Sequence, residues 1–276
     1  NVLGSKRVKM VHFDLTDVHS ITATIKNEQP DFFINFGAQT FVADSWKTPV
    51  NHMTTNAMGV LHILEAVKNF APKCSVYSAG STEQWGNVLY SPQDINHPMR
   101  PRSVYGVSKC AAQLLCKTYR ESYGLYVVHG ILANHESFRR QSYFSTRKIT
   151  KGVAKIATQL KNNEPVTPIV LGNLNAKRDW SDARDFVRGV WLMLNQKEPK
   201  DYVLASGECF TIRQFVEKAF AVLKMDGEWI NESPGDPTKE QFVLLNGSPV
   251  IQNPTVLVTV SEEFYRPCEV ELLVGD

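Results

Sequence analysis

The sequence predicts an α/β protein built on a doubly wound parallel sheet, followed by a smaller C-terminal lobe. Three observations carry that reading. Short apolar runs alternate with amphipathic stretches of helical period, as in a parallel sheet covered on both faces. The runs end in small or polar residues, "DLTD", "GAQT", "SAGSTE" and "NHES", and ligands of such sheets sit at the carboxyl ends of the strands. From about Asn134 the strands shorten and the loops lengthen.

Along the chain, "VKMVHFDL" reads as a strand and "VHSITATIKNE" as a helix, and "DFFINFGA" with "TTNAMGVLHILEAVKNF" repeats the pair. "CSVYSAG" is the next strand, and a helix opens within "RPRSVYGVSKCAAQ". "LYVVHGILANHE" is another strand and "RKITKGVAKIATQL" the helix after it. The later strands, "PIVLGNL", "DYVLASGE" and "FVLLNGSPVIQNPTVLVTV", are assigned to the second lobe, the last with a hairpin at "NGSP".

The 276 residues are 43% hydrophobic with a net charge of +2, a globular composition with enough chain to bury a sizeable core. Lys and Arg are scattered rather than massed in a tail. No run of about 18 apolar residues is present to span a membrane as a helix, and no signal-peptide pattern opens the chain. Cys74, Cys110, Cys116, Cys209 and Cys268 form no C-x-x-C pair, so free thiols in a reducing, cytoplasmic compartment are expected. A dinucleotide-binding sheet should open on strand, glycine-rich turn and helix, yet no G-x-x-G-x-x-G occurs anywhere. The expectation is a chain lacking roughly 50 residues of a first βαβ unit, and some C-terminal helix after "EVELLVGD".

Tyr105 and Lys109 are four residues apart where a helix should begin, so they share one helical face. A nearby ammonium favours the phenolate, making Tyr105 a candidate base at neutral pH. Alone, Y-x-x-x-K is a frequent chance match. It gains weight from "SAGSTEQWG" upstream, where Ser81 can hydrogen-bond a substrate hydroxyl that Tyr105 deprotonates. Glu83 is then a surplus carboxylate, which simple alcohol oxidation does not need. Two rival readings fail on their residues. H-E-x-x-H at His135 would need a second histidine where Arg139 stands, so no metal is expected. "RRQSYFSTRK" interleaves bases with aromatics as a single-strand nucleic-acid site does, but the near-neutral chain argues against that partner.

This combination resembles the extended, nucleotide-sugar branch of the short-chain dehydrogenase/reductase superfamily. Longer stretches narrow it to the GDP-mannose 4,6-dehydratase family. "ILANHESFRRQSYFSTRKIT", "LGNLNAKRDWSDARDFVRGVWLML" and "FYRPCEVELLVGD" are similar to family segments, as are "FDLTD" and "NFGAQT". The resemblance covers nearly the whole chain and implies a Rossmann-like fold. Residues 1–133 would form the dinucleotide-binding domain, truncated at its N-terminus. Residues 134–276 would be mainly a substrate-binding lobe, interleaved with the first domain and truncated at its C-terminus.

It further implies catalytic roles for Ser81, Glu83, Tyr105 and Lys109. Asp14 and Leu15 should flank a cofactor adenine, and Gly37, Ala38, Gln39 and Thr40 line the dinucleotide. Tyr105, Lys109, His135 and Arg140 would also contact the cofactor. Asn134, Lys148, Arg178, Arg266 and Glu269 would hold the GDP portion, arginine forks suiting phosphate and a carboxylate suiting ribose hydroxyls. The implied cofactor is NADP, with NAD not excluded because no residue present reads the adenosine 2′ position. The implied substrate is GDP-mannose, the product GDP-4-keto-6-deoxymannose on the route to GDP-fucose and related deoxysugars, and the assembly a homodimer or homotetramer.

The chain departs from the family pattern at several places. Ser81 replaces a threonine, Gln84 and Trp85 replace Leu and Tyr of "SELYG", and Asn51 stands where a tyrosine is frequent. Phe138 and Gln141 replace Pro and Gly around the paired arginines, and Ser181 and Asp182 replace Gly-His. Phe138 and Asn51 put local cofactor contacts in question. Two alternatives stay open on sequence alone: a GDP-sugar epimerase or reductase, which needs no carboxylate at position 83, and a non-catalytic nucleotide-sugar-binding protein.

Overall fold

The structure is a computed structural model that describes residues 5–231, 236–245, 254–265, 270 and 272–276. Its helices are α1 (Val18–Glu28), α2 (Pro49–Met53), α3 (Gly59–Phe70), α4 (Val104–Tyr123), α5 (Ser145–Lys161), α6 (Ala183–Leu194) and α7 (Ile212–Val222). The early strands are β1 (Phe32–Asn35), β2 (Ser75–Ala79), β3 (Val127–Leu132), β4 (Asn134–Glu136), β5 (Ile169–Leu171), β6 (Lys177–Arg178) and β7 (Trp180–Asp182). After them come β8 (Asp201–Leu204), β9 (Phe210–Thr211), β10 (Gly227–Ile230), β11 (Gln241–Leu244), β12 (Val256–Val260) and β13 (Leu272–Leu273). The chain forms two compact units: residues 1–133 with 184–205 and 275–276, and residues 134–183 with 206–274.

The first unit holds a four-stranded sheet of order β1-β2-β3-β8, parallel throughout. Strand residues alternate between two cores because successive side chains point to opposite faces. Val76 and Val127 pack with Ile21, Ile25, Ile63, Leu64 and Cys116 from α1, α3 and α4. Their neighbours Tyr77 and Val128 pack on the other face with Val190, Met193 and Leu194 of α6. Both faces are therefore covered by helices, the doubly wound arrangement expected.

Two expectations need correction. "VKMVHFDL" forms no strand: a strand exists through its ladder, and among the described residues no strand pairs with this segment. "DYVLASGE" does not belong as a whole with the second lobe, since residues 201–205 fall in the first unit. It supplies β8, which pairs in parallel with β3 because the amphipathic α6 returns the chain over the sheet.

The second unit contains a sheet of order β10-β11-β12-β5, antiparallel apart from the β12–β5 pair. Phe220 and Val216 of α7 and Ile149, Val153 and Ile156 of α5 pack with Phe242, Leu257 and Val258 from this sheet. β11 and β12 pair as a hairpin would; the turn at "NGSP" lies outside the described residues. Smaller ladders join β13-β6-β9 and β4-β7.

His129 sits fully buried within β3 of the first sheet. Burial pushes its pKa down to about 4 from 6.5, with Lys109 and Arg120 adding to the fall and Asp201 opposing it. The unfolded chain therefore takes up this proton first, and stability falls as pH drops from 6.5 towards 4, by about 3 kcal/mol in all. Thermal melts of wild type and His129→Asn over that window check this. The wild-type Tm should fall more steeply, and parallel curves would contradict it.

Candidate active site

The sequence "SAGSTEQWG" ends β2 and turns through a 3-10 segment, Thr82–Gln84. Ser81 caps that turn: its Oγ accepts from Glu83 N at 3.3 Å, and its own N–H donates to Gln84 Oε1 at 2.9 Å. Glu83 is buried. Gly80 has no room for a side chain, since a Cβ there would lie 2.3 Å from His129 Nε2 and 2.6 Å from Gln84 Oε1.

Ser103 caps α4, its Oγ accepting from Gly106 N at 3.0 Å, so Tyr105 falls in the first turn. Gly106 permits a close approach: a Cβ at that position would lie 2.6 Å from Glu83 O. The turn that carries Glu83 is thereby seated against the turn that carries Tyr105. Both Tyr105 and Lys109 are buried, with the Lys109 Nζ 5.8 Å from the Tyr105 ring centroid. Lys109 Nζ donates to Ala79 O at 2.7 Å, tying the helix to the end of β2. Burial lowers its pKa to about 8, so it remains charged at neutral pH.

Asp14, Leu15, Gly37 and Gln39 are brought together: with Phe13, Thr16 and others they line a cavity of about 510 Å³, within the usual size range of ligand pockets. Asp14 Oδ1 accepts from Thr16 N and Thr16 Oγ1, each at 2.8 Å, and these bonds lower its pKa. Ala38 and Thr40 follow on the same loop but are not among the lining residues.

In the second unit Asn134 and His135 lie on β4, paired in parallel with β7. Asn134 N donates to Asp179 O at 3.0 Å, which sets it beside Arg178 on β6. Arg178 is buried and its guanidinium donates to Lys177 O at 2.8 Å. Arg140 pairs with Glu136 at 3.3 Å and stacks on Phe144 at 3.6 Å. Lys148 lies 3.6 Å from the Phe264 ring centroid, and burial lowers its pKa, Glu263 partly offsetting this. Arg266 and Glu269 lie outside the described residues.

Several supporting residues went unread in the sequence. Asn56, buried in the π-helical turn Thr54–Met58, clamps Gln39 through both backbone groups (2.8 and 3.0 Å) and reaches Ser108 Oγ at 3.1 Å. A polar residue on the inward face of "TTNAMGVLHIL" was the available signal. Asp179, almost fully buried, accepts from Ser206 N, Ser206 Oγ and Gly207 N at 2.7–3.0 Å and so fixes the loop after β8. His52 is buried edge-on to Tyr105, ring centroids 6.3 Å apart. Among the described residues no cluster of three His, Cys, Asp or Glu forms a metal site, and no described helix is long and apolar enough to cross a membrane.

A parallel sheet wound by helices on both faces, with a buried Tyr105–Lys109 pair beside an acidic turn, defines a class: the extended short-chain dehydrogenase/reductase fold. The UDP-glucose 4-epimerase of Thermus thermophilus, solved with NAD, shares that fold at TM-score 0.73 and 21% identity, over 99% of this chain and 77% of its own. RMD from Pseudomonas aeruginosa, complexed with NADPH, aligns at TM-score 0.67 and 25% identity over 75% and 69%. The sequence profile described as GDP-mannose 4,6 dehydratase matches residues 2–276. A GDP-mannose 4,6-dehydratase of Vibrio cholerae serotype O1 is 38% identical over 270 residues, 97% of this chain and 71% of the relative. The chain belongs to the GDP-mannose 4,6-dehydratase family.

Proposed function

We propose that this protein is a lyase that dehydrates GDP-mannose to GDP-4-keto-6-deoxymannose, with a bound nicotinamide cofactor that ends as it began. The observation that carries the proposal is Glu83, a buried carboxylate whose backbone packs against the first turn of α4 beside Tyr105. An epimerase or reductase on this fold has no task for that carboxylate. Family membership and the activity of the Vibrio cholerae relative support the same reading.

In this reading Tyr105 takes the proton from the sugar O4 while Ser81 hydrogen-bonds the same oxygen. Lys109, charged at neutral pH, favours the phenolate form of Tyr105. Ketone formation at C4 acidifies the C5 hydrogen. Glu83 removes that proton and returns one to the hydroxyl leaving C6, so water departs and the carboxylate is regenerated; the proton that Tyr105 took from O4 balances the one C5 regains when the C5–C6 double bond is saturated. The cofactor supplies a reversible two-electron acceptor when bound. Asp14 and Leu15 would flank its adenine, and Gly37 and Gln39 would line the dinucleotide, which fits the cavity these four share; Ala38 and Thr40 belong to the loop of Gly37 and Gln39, and His135 and Arg140 are assigned to the cofactor as well. The nicotinamide cofactor is assigned as NADP with NAD as the alternative: RMD from Pseudomonas aeruginosa was solved with NADPH and the Thermus thermophilus epimerase with NAD.

The GDP portion is assigned to Asn134, Lys148 and Arg178, together with Arg266 and Glu269. Arg178→Ala should raise the KM for GDP-mannose about tenfold or more with a smaller change in kcat, because a phosphate fork is made in ground and transition states alike. Steady-state kinetics check it, and an unchanged KM with collapsed kcat would give Arg178 another role. The function itself is tested by incubating the full-length protein with GDP-mannose and NADP or NAD. A 6-deoxy-4-keto product with no net cofactor reduction is expected; unchanged GDP-mannose with both cofactors would refute the proposal.

A further inference from the structure

We infer that Gln84 is a positioning residue for the elimination, holding the turn of Ser81 and Glu83 in register with the stripe of α4 that carries Tyr105 and Lys109. The inference rests on the proposed role of Glu83 and names a residue which that role does not itself use. Gln84 is completely buried. Its Oε1 accepts from Ser81 N at 2.9 Å and its Nε2 donates to Gln113 Oε1 at 2.5 Å. Gln113 Nε2 donates to Asp201 Oδ2 at 2.9 Å, and Asp201 Oδ1 receives Arg120 NH1 at 2.9 Å.

The two amide orientations are set from both ends, because a backbone N–H can only donate and a carboxylate can only accept. From Ser81 onward, each donor therefore points towards Asp201, and hydrogen bonds of one sense polarise one another. His129 Nε2, 3.3 Å from Gln84 Oε1, is by the same logic the protonated nitrogen of a neutral ring. Tyr105, Lys109, Gln113 and Arg120 succeed one another at spacings of four, four and seven, a single stripe of α4. The relay thus ties the acidic turn to the helix face that presents the tyrosine and lysine.

The Gln84 backbone adds a second hold, its carbonyl accepting from Arg100 N at 3.1 Å and Cys110 Sγ at 3.6 Å. The leucine that the family pattern has in "SELYG" could make none of the side-chain bonds. This chain sets by hydrogen bonding a distance that an apolar side chain would have to set by packing.

The test uses full-length protein carrying Gln84→Leu, and separately Gln113→Leu, which spares the Ser81–Gln84 bond. Amide hydrogen exchange at Ser81, without substrate or cofactor, should quicken about tenfold in Gln84→Leu, the scale of one lost buried hydrogen bond, while α1 and α3 amides stay unchanged. With GDP-mannose in deuterated solvent, exchange at C5 should slow by about tenfold while KM changes little. Gln113→Leu should show both effects in smaller measure, and it decides alone if Gln84→Leu does not fold. Unchanged Ser81 exchange in the folded variants overturns the clamp. Faster Ser81 exchange with undiminished C5 exchange overturns the positioning role. A wild-type protein that leaves GDP-mannose untouched overturns the dehydratase reading instead, and the Ser81 amide still decides whether the clamp exists.

Discussion

Glu83→Gln in the full-length protein is expected to oxidise GDP-mannose at C4 and stop there. Oxidation needs Tyr105, Lys109 and the cofactor, and none of these is altered. Elimination needs a group that accepts the C5 proton and then helps hydroxide leave C6, and an amide does neither well. The variant should therefore show reduced nicotinamide on mixing with GDP-mannose, a loss of about 100-fold or more in 6-deoxy product, and nearly no C5 exchange with deuterated solvent. The substitution is close to isosteric, so folding should survive it, even though Glu83 is buried. Wild-type product formation would return Glu83 to the status of an ordinary turn residue. Product analysis and C5 exchange on the same preparation separate the outcomes.

Tyr105→Phe is expected to lose about 100-fold or more in overall rate, the usual scale for a positioned acid–base group. Here the block comes before any oxidation, so neither reduced nicotinamide nor C5 exchange should accumulate. Binding of GDP should change little, since the GDP-holding residues are assigned elsewhere. The ring itself is kept, so its edge contact with His52 should remain. Near-normal turnover would mean that Tyr105 only packs the helix start.

The two phenotypes are distinct although their side chains belong to neighbouring turns. One stops the reaction before the ketone, the other after it. A general loss of folding would instead abolish oxidation in Glu83→Gln and GDP binding in Tyr105→Phe.

Much of the first unit was legible because its signals are local. Helical periodicity in "VHSITATIKNE" gives the span of α1, Val18–Glu28, with Asp17 as its cap. The four-residue spacing of Tyr105 and Lys109 needs only the helix to place both on one face. What escaped depends on partners far away in sequence. "VKMVHFDL" has strand-like residues, but a strand also needs a neighbour, which a single segment cannot announce. Gln113 meets Asp201 across 88 residues, and Asn56 meets Ser108 across 52, so neither partner is visible from the local pattern. The lobe membership of "DYVLASGE" is hidden for the same reason, since it follows from pairing with β3 and not from the strand's own composition. In the second unit, the motif around Arg178 is legible in the sequence, while the burial of the neighbouring Asp179 carboxylate follows only from the fold.

If the cofactor ends as it began while C6 loses its hydroxyl, the hydrogen removed from C4 has to return to C6 of the same sugar. GDP-mannose deuterated at C4 tests this directly with the full-length protein, the product being read by mass spectrometry and proton NMR. The expected product is a 4-keto-6-deoxy sugar with the deuterium in its C6 methyl group, with no net change in cofactor. A product that keeps its C6 hydroxyl, with deuterium back at C4 or lost to a released reduced cofactor, would contradict it.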